Sequence, residues 1–416
     1  NVSGYLMPAY FNAFDLSQSK DPADAEKAKQ AANDFKAYND AYHAAKDLLT
    51  DIKKPNSTVT QDQADAVKKQ LLDARKVIDK YATDTSKISA ALLHSLAITN
   101  SPAYKNASAT DASEDAKKAK QAYDDALKAL QDAFDDKMPQ DTVDGKPGSA
   151  AISTDNIPVK DGDTSSPDYL KNIQSHAKGQ PLNRDVTKLL AKLNDAVKGL
   201  DEFKTKTDEL IKSINEDDNT KQTPAYKNTK DPDYKGEDGT TADTEKNGKA
   251  SAAKTAYDNA LDAAKGLLKK PDATQEDVNA ALKKLDDARK ALDDYKTNVD
   301  ELKKNVEAQG STDGPATKEG TVTSDAYRNA SDPHFMKEEG GKLVPDKDRN
   351  TNAAAAKKAY DEALTKAQEL LKKHGDKDTP QDAKPTQKEI DAALTTLNEK
   401  RQALDAYKTD TSKLDE

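Results

Sequence analysis

Apolar residues recur at alternating spacings of three and four through the segment Thr274–Val306, with charged and amide side chains between them. This spacing places one apolar stripe on one face of an α-helix. Thr274 followed by Asp277 is typical of a helix N-cap with an acid in the first turn. The pattern predicts a single helix of roughly 45 Å, at about 1.5 Å per residue. Its apolar positions are Val278, Ala281, Leu285, Ala288, Leu292, Tyr295, Val299, Leu302 and Val306.

The same pattern occurs four times along the chain, each time as the last of three blocks that keep one order. A fixed order of blocks is the signature of tandem repeats. The first block is a Tyr-x-Asn motif at Tyr10, Tyr104, Tyr226 and Tyr327. The second is an alanine-rich helix A with an Ala-Tyr pair at Tyr38, Tyr123, Tyr257 and Tyr360. The third is helix B, whose stripe reaches Tyr81, Phe203, Tyr295 and Tyr407.

Helices A and B alone leave apolar surface uncovered, so we expect a third helix to complete a bundle. The candidate is the overhang of helix B beyond its last aromatic residue. The overhang either folds against its own repeat or serves as the first helix of the next one, and a stripe that continues in phase favours the second. We predict an all-α fold of tandem three-helix bundles that share long helices and form an elongated rod. The overhang residues are Ile88, Leu92 and Leu96, then Leu210 and Ile214, then Leu302 and Val306.

We place repeat 1 at residues 1–97, repeat 2 at 98–218, repeat 3 at 219–318 and repeat 4 at 319–416. Repeat 2 carries an insertion at about 138–181, rich in Gly, Pro, Ser and Asp, with apolar residues that include Tyr169. Long decorated loops on rigid scaffolds often bind partners. We therefore weigh a small lobe with a partner surface, including Tyr169, against a disordered tether.

Composition narrows the class of protein. The 416 residues are 34% charged, 34% hydrophobic and 5% aromatic, which favours several small cores over one large core. The net charge of −10 comes from interleaved signs, 75 acidic against 65 basic residues, so we expect no nucleic-acid binding. No run of about 18 apolar residues predicts a membrane span. The lack of Cys excludes disulfides and thiolate metal sites. We expect a monomer.

Catalytic and metal-binding patterns are not found. The five histidines fall at unrelated repeat positions, and neither ligand spacing nor a nucleophile motif occurs. Adjacent carboxylates such as Asp286 and Asp287 are interpreted as a solubilising face. Asp161 and Asp163 lie in the densest acidic loop, where a solvated loop is favoured over a weak calcium site. The sequence predicts no enzyme, no metal and no cofactor.

The Tyr-x-Asn motifs are the most specific feature of the chain. In one interpretation the ring covers the open end of a bundle and the Asn caps a turn, which makes the motif a latch. In the other, the ring and amide stack on and bond a sugar. We favour the latch. A buried tyrosine ring would support the latch, whereas an exposed ring in a groove would support a sugar-binding site. The candidate ligand-binding residues are Tyr104, Asn106, Tyr226, Asn228, Tyr327, Asn329 and Tyr169.

The order of these blocks resembles the FIVAR module. The resemblance is carried by residues 104–108 with 122–127, and by 257–268 with 280–292, and it extends to all four repeats. Repeat 1 departs at Phe11, and repeat 4 has Asp325 where the others have Pro. The resemblance implies three-helix bundles in elongated fibrils of giant cell-wall-associated proteins of Gram-positive bacteria. It also implies a binding role toward extracellular matrix or cell-wall sugar, without catalytic residues.

These observations predict an extracellular, non-enzymatic repeat region of a bacterial adhesin that acts as a stalk and projects a distal domain. The alternative is a binding module for an extracellular matrix protein or for a cell-wall or host glycan. The ends of the chain, Asn1 and Glu416, are expected to be cuts from a longer polypeptide.

Overall fold

The computed structural model describes residues 8–137, 142–143, 146–147, 181–236, 241–310 and 320–411. The chain is mainly all-α, as predicted. It divides into two compact units, Asn1–Thr205 and Lys206–Glu416. The first unit contains repeat 1 and repeat 2 up to residue 205, and the second contains residues 206–218 of repeat 2 together with repeats 3 and 4. The repeat boundaries, the three-helix description and the rod stay predictions.

The first unit is built from seven helices and one short hairpin in its described residues. Repeat 1 contains α1 (Pro8–Ser17), α2 (Ala25–Ile52) and α3 (Gln61–Ile78). Repeat 2 contains α5 (Pro102–Ser108), α6 (Glu114–Phe134) and α7 (Asn183–Asp201), with α4 (Ser86–Thr99) between the repeats. Strands β1 (Thr142–Val143) and β2 (Lys146–Pro147) pair antiparallel within the predicted insertion. The rest of the insertion up to residue 180, including Tyr169, lies outside the described residues.

The second unit begins with two short helices and then contains the same three helical blocks in each of its repeats. Its helices are α8 (Asp208–Asn215), α9 (Asp217–Gln222), α10 (Pro224–Lys230), α11 (Thr244–Leu267), α12 (Gln275–Leu292), α13 (Asp300–Ala308), α14 (Asp325–Ser331), α15 (Lys347–Gly375) and α16 (Gln387–Leu404). Strands β3 (Met336–Glu339) and β4 (Lys342–Pro345) form an antiparallel hairpin between α14 and α15.

Each repeat has its own hydrophobic cluster between helix A and helix B. Helix A is α2, α6, α11 or α15, and helix B is α3, α7, α12 or α16. The tyrosine of the Ala-Tyr pair is fully buried in repeats 2 to 4, at Tyr123, Tyr257 and Tyr360. Around it lie small alanines and the leucines of the helix B stripe, for example Leu285 at 0% exposure. The predicted helical phase is therefore correct.

Helix B begins at the predicted cap. The Asp277 N–H donates to Thr274 Oγ1 at 3.2 Å, and the Thr274 N–H donates to Asp277 Oδ2 at 2.9 Å. This reciprocal capping box satisfies two backbone donors that no helical carbonyl can reach. Thr386 with Glu389 forms the same box in repeat 4.

The prediction of one continuous helix over Thr274–Val306 is wrong. Helix α12 ends at Leu292, a 3-10 turn covers Asp293–Tyr295, and Lys296 is extended before α13 begins at Asp300. Successive repeats therefore do not share one continuous helix. No proline or glycine marks the break. The Asn228 amide donates to the Tyr295 carbonyl at 2.8 Å, and this bond occupies an acceptor that a continuing helix would use.

The overhang nevertheless packs where we predicted, on the repeat that follows it. Leu302 of α13 is fully buried in the cluster of repeat 4, beside Tyr360 and Leu397. Ile88 of α4 lies in the cluster of repeat 2, and Leu210 of α8 lies in that of repeat 3. The apolar stripe of helix B thus continues on a separate short helix, which packs in the hydrophobic core of the following repeat.

The hairpin β3–β4 is an element that periodicity did not predict. Its two-residue turn consists of Gly340 and Gly341, with φ of 60° and 76°. Two successive positive φ values are what a tight hairpin turn requires, and glycine adopts them without strain.

The cluster of repeat 3 provides a test of the helical phase. We expect Leu285→Ala to lower the free energy of unfolding by about 2–5 kcal/mol, because it leaves a cavity in a packed core. Asp287 is exposed and pairs with Lys283, so Asp287→Ala should change it by less than about 0.5 kcal/mol. Denaturant unfolding followed by circular dichroism measures both. Equal losses would contradict the assigned face.

Candidate functional site

The Tyr-x-Asn motifs all lie on short helices, α1, α5, α10 and α14. In repeats 2 to 4 the residue before each helix caps it. Ser101, Thr223 and Ser324 accept from the backbone N–H of Tyr104, Tyr226 and Tyr327 at 3.2–3.3 Å. A Ser or Thr side chain is a preferred N-cap acceptor. The cap fixes the start of each short helix and therefore the direction of its Tyr and Asn.

The motif tyrosines pack on helix A. Tyr104, Tyr226 and Tyr327 each contact the buried tyrosine of their repeat edge-on, with ring centroids 5.6–5.9 Å apart. Each hydroxyl donates to the aspartate that follows the buried tyrosine, at 2.9–3.2 Å. A lysine four residues before that aspartate pairs with it and lies over the motif ring at 4.9–5.6 Å. The rings are therefore held from both sides by their own repeat.

Exposure distinguishes the two interpretations of these rings. Tyr10 is 2% exposed and Tyr226 is 7% exposed, while Tyr104 and Tyr327 are half-buried. All four hydroxyls bond helix A; in repeat 1 the acceptor is Asn39. This geometry supports the latch. A glycan-binding role for these residues stays a prediction.

The motif asparagine makes the same pair of hydrogen bonds in every repeat. The Asn12 amide donates to the Tyr81 carbonyl at 2.9 Å and to Thr83 Oγ1 at 3.1 Å. Asn106, Asn228 and Asn329 repeat this pair with the carbonyl of Phe203, Tyr295 or Tyr407 and the threonine two residues later, at 2.8–2.9 Å and 3.2 Å. Each Asn therefore holds the chain where helix B ends.

Within each unit the same asparagine also reaches the following repeat. The Asn183 N–H, at the start of α7, donates to Asn12 Oδ1 at 2.8 Å. The Gln387 N–H, at the start of α16, donates to Asn228 Oδ1 at 2.8 Å. Asn12 and Asn228 thus use both amide donors on their own repeat and the oxygen on the next. We call this arrangement the asparagine junction.

Threonine and the first residue of the next helix B complete the junction. Thr83 Oγ1 donates to the Pro181 carbonyl, and Thr297 Oγ1 donates to the Pro385 carbonyl, each at 2.8 Å. In the second unit the Gln387 side chain accepts from the Asn298 N–H at 2.7 Å. The first unit has an equivalent bond, from the Asp84 N–H to Asn183 Oδ1 at 2.9 Å. The same set of bonds therefore links repeat 1 to 2 and repeat 3 to 4.

The buried tyrosine of helix A forms a second link, to the short helix that precedes its repeat. The Tyr123 hydroxyl donates to the Ser95 carbonyl at 3.4 Å, and the Tyr360 hydroxyl to Gln309 Oε1 at 2.9 Å. The Tyr257 hydroxyl donates to Asp217 Oδ1 at 3.0 Å. Burial raises the pKa of Tyr123 and of Tyr360 to about 12, so both remain protonated donors at neutral pH.

Asp217 is a buried carboxylate at this second link. Burial acts to raise its pKa, but hydrogen bonds from Lys221 and Tyr257 outweigh burial and lower the pKa below the usual value. Lys221 pairs with it at 2.8 Å. A charged, hydrogen-bonded Asp217 fixes α9 on helix A, so its perturbed pKa reflects a structural contact.

A second pair of structural asparagines, in repeats 3 and 4, was not predicted from the sequence. Asn247 accepts from the Tyr234 N–H at 2.8 Å and donates to its carbonyl at 3.1 Å. Asn350 does the same with Phe335 at 2.7 Å and 3.2 Å. The rings of Tyr234 and Phe335 then pack on Tyr295 and Tyr407. The signal available in the sequence was the match between residues 231–234 (Asp-Pro-Asp-Tyr) and 332–335 (Asp-Pro-His-Phe).

The remaining candidate residues are the paired carboxylates, the possible metal ligands and the acidic loop. Asp286 does not simply solubilise its helix, because it accepts from Ser213 at 3.0 Å and from Arg289 at 2.9 Å. In the described part of the chain, no cluster of three His, Cys, Asp or Glu side chains suits a metal ion. None of the described helices is long and apolar enough to cross a membrane. Asp161 and Asp163 lie outside the described residues.

A cavity of about 470 Å³ lies beside the junction of the second unit. Arg289, Thr297 and Lys384 are among its lining residues. Arg289 is bonded to Ser213, Asp286 and Thr220, and Thr297 to Asn228 and Pro385. Thr297 therefore links repeat 3 to repeat 4, whereas Arg289 holds the short helices α8 and α9 on helix B of repeat 3.

Comparison with known families identifies part of the chain. The FIVAR domain model matches residues 235–293 and 342–405, which contain helices A and B of repeats 3 and 4. These two segments are FIVAR domains, as the resemblance predicted. FIVAR is a non-catalytic module family found in cell-wall-associated surface proteins. No curated protein and no solved structure matches the chain.

The junction asparagine provides a test of the latch. Asn228→Ala removes three hydrogen bonds at a site that is 5% exposed, so we expect a loss of about 2–4 kcal/mol in the free energy of unfolding of the second unit. Asn259 is exposed on α11, and Asn259→Ala should change it by less than about 0.5 kcal/mol. Urea unfolding of the full chain compares the two. Matching stabilities would show that the junction bonds contribute little.

Proposed function

From the two FIVAR domains, we propose that this chain is a non-enzymatic stalk segment of an extracellular adhesin on a Gram-positive bacterium. The stalk would project a distal domain away from the cell wall. The observation that carries this proposal is the asparagine junction, which recurs with the same partners between repeats 1 and 2 and between repeats 3 and 4.

A stalk needs neighbouring repeats to keep a fixed relation under thermal motion. A flexible linker of a few residues would allow each repeat to rotate independently. Here the segment between two repeats is bonded on both sides. Thr297 bonds Asn228 and Pro385, and Asn298 bonds Gln387 in both directions. These bonds support a stiff connection within each unit.

The cores of repeats 2, 3 and 4 each include a residue from the short helix that precedes the repeat. Leu302 of α13 is buried in the cluster of repeat 4, although α13 follows directly from helix B of repeat 3. The two repeats of a unit therefore stabilise each other through buried apolar area as well as hydrogen bonds. Such interlocking suits a repeat array that resists bending.

The charge of the surface is consistent with a spacer. Most of the described helical ion pairs are Lys with Asp or Glu three or four residues apart, such as Lys283 with Asp287 at 2.5 Å. Pairs of this kind contribute only a few tenths of a kcal/mol each and keep the surface soluble. Binding of a matrix protein or glycan, the alternative, stays a prediction.

Small-angle scattering of the full chain tests the stalk. A compact globule of this length would have a radius of gyration of about 22 Å. If the repeats form the predicted rod, we expect a value well above this and a distance distribution with a long tail. The variant Asn12→Ala/Asn228→Ala should stay helical but give a broader distribution. A compact profile for the parent chain would contradict the proposal.

A further inference from the structure

The cavity beside the junction of the second unit has a wall that is partly apolar and partly cationic. Its volume of about 470 Å³ is in the range of small-molecule pockets, which are mostly apolar with a few convergent polar groups. Pro224, Ala225 and Leu292 supply the apolar part. The cavity therefore has both kinds of surface that a small organic ligand requires.

Three cationic side chains line the cavity, Arg289, Lys296 and Lys384, and Asp293 is the one carboxylate among the described lining residues. The wall is thus locally basic, although the chain has a net charge of −10. Asp286, outside the lining, neutralises Arg289 at 2.9 Å. Lys296 pairs with Asp293 at 3.1 Å, but both side chains are more than half exposed, so water weakens the pair.

Lys384 carries the least compensated of the three charges. It is half-buried, and its ammonium donates to the His374 carbonyl at 3.3 Å. No carboxylate of the described chain lies within ion-pair distance of it. Asp376 interacts with it electrostatically, but the Asp376 oxygens accept from the Asp378 N–H at 3.0 Å and from the Thr379 hydroxyl at 2.9 Å. The ammonium, which has three donors, therefore retains capacity for an external anion.

The segment that carries Lys384 is held in place by repeat 3. This segment connects α15 to α16 and contains a 3-10 turn. The Lys227 ammonium donates to the Asp382 carbonyl at 2.8 Å, and Thr297 Oγ1 donates to the Pro385 carbonyl at 2.8 Å. These bonds fix the segment on both sides of Lys384. The cavity is therefore preformed, which lowers the cost of ordering it around a ligand.

We propose that this cavity binds a small organic carboxylate. The carboxylate accepts charge-assisted hydrogen bonds from Lys384 and Lys296, and the apolar body of the ligand lies against Pro224, Ala225 and Leu292. A monoanion matches the one uncompensated ammonium. An inorganic anion leaves the apolar wall uncovered, and a neutral apolar molecule leaves Lys384 without a counter-ion. The proposal goes beyond the stalk function and does not depend on it.

The experiment titrates three probes into the full chain and records methyl NMR spectra of labelled Ala and Leu residues. Benzoate has an apolar body and a carboxylate, benzyl alcohol has only the apolar body, and sulfate has only the charge. We expect benzoate to shift the methyl signals of Ala225 and Leu292 saturably, with a millimolar dissociation constant that rises with added salt. Benzyl alcohol and sulfate should bind at least about tenfold more weakly.

Two lysine variants and a control locate the site. Lys384→Gln should weaken benzoate binding by about tenfold, because it removes the uncompensated charge. Lys296→Gln should weaken it by about threefold, since Asp293 already offsets part of that charge. Lys290 is exposed on α12 outside the lining, so Lys290→Gln should leave binding unchanged.

Methyl signals far from the cavity show whether each variant folds as the parent does. The proposal is overturned if benzoate shifts neither Ala225 nor Leu292, or if benzyl alcohol binds as tightly as benzoate. It is also overturned if Lys384→Gln and Lys296→Gln both bind benzoate as the parent does.

Discussion

An asparagine side chain offers two N–H donors and one carbonyl oxygen, and the architecture of this chain depends on how four asparagines use them. Both donors close the end of the repeat, on the carbonyl of the tyrosine that ends the 3-10 turn after helix B and on the threonine two residues later. In Asn12 and Asn228 the oxygen binds the first N–H of the next helix B. One buried side chain therefore ends one repeat and orients the next.

The other features follow from that constraint. The asparagine binds the chain just after helix B, and the helix ends there. The apolar stripe therefore continues on a separate short helix, which packs in the core of the next repeat. The buried tyrosine of helix A then fixes this short helix, as the bond from Tyr360 to Gln309 shows at 2.9 Å. A buried hydrogen bond adds only modestly to the stability of the fold. Removing one partner costs more, because the other polar group is left buried and unsatisfied. The junction is therefore specific as well as stable.

The sequence predicted much of this fold, and the reasons for its failures are physical. Periodicity predicted helix A, helix B, the face that contains Leu285 and the cap at Thr274, because these depend on residues close in sequence. It did not predict the break at Lys296, because the bonds that favour the break come from Asn228 and Pro385. The Tyr-x-Asn motif was correctly singled out. That Asn228 also binds Gln387, 159 residues away, was not predictable from local pattern.

Hydrogen exchange across the full chain tests the junction most directly. If Asn228 couples repeats 3 and 4, Asn228→Ala should lower amide protection at the start of α16 as well as at the end of α12. Asn329→Ala, which cuts the equivalent bonds to Tyr407 and Thr409, should lower protection in repeat 4 and leave repeat 3 unchanged. Faster exchange confined to repeat 3 in Asn228→Ala would show that the asparagine closes its own repeat but does not connect it to the next.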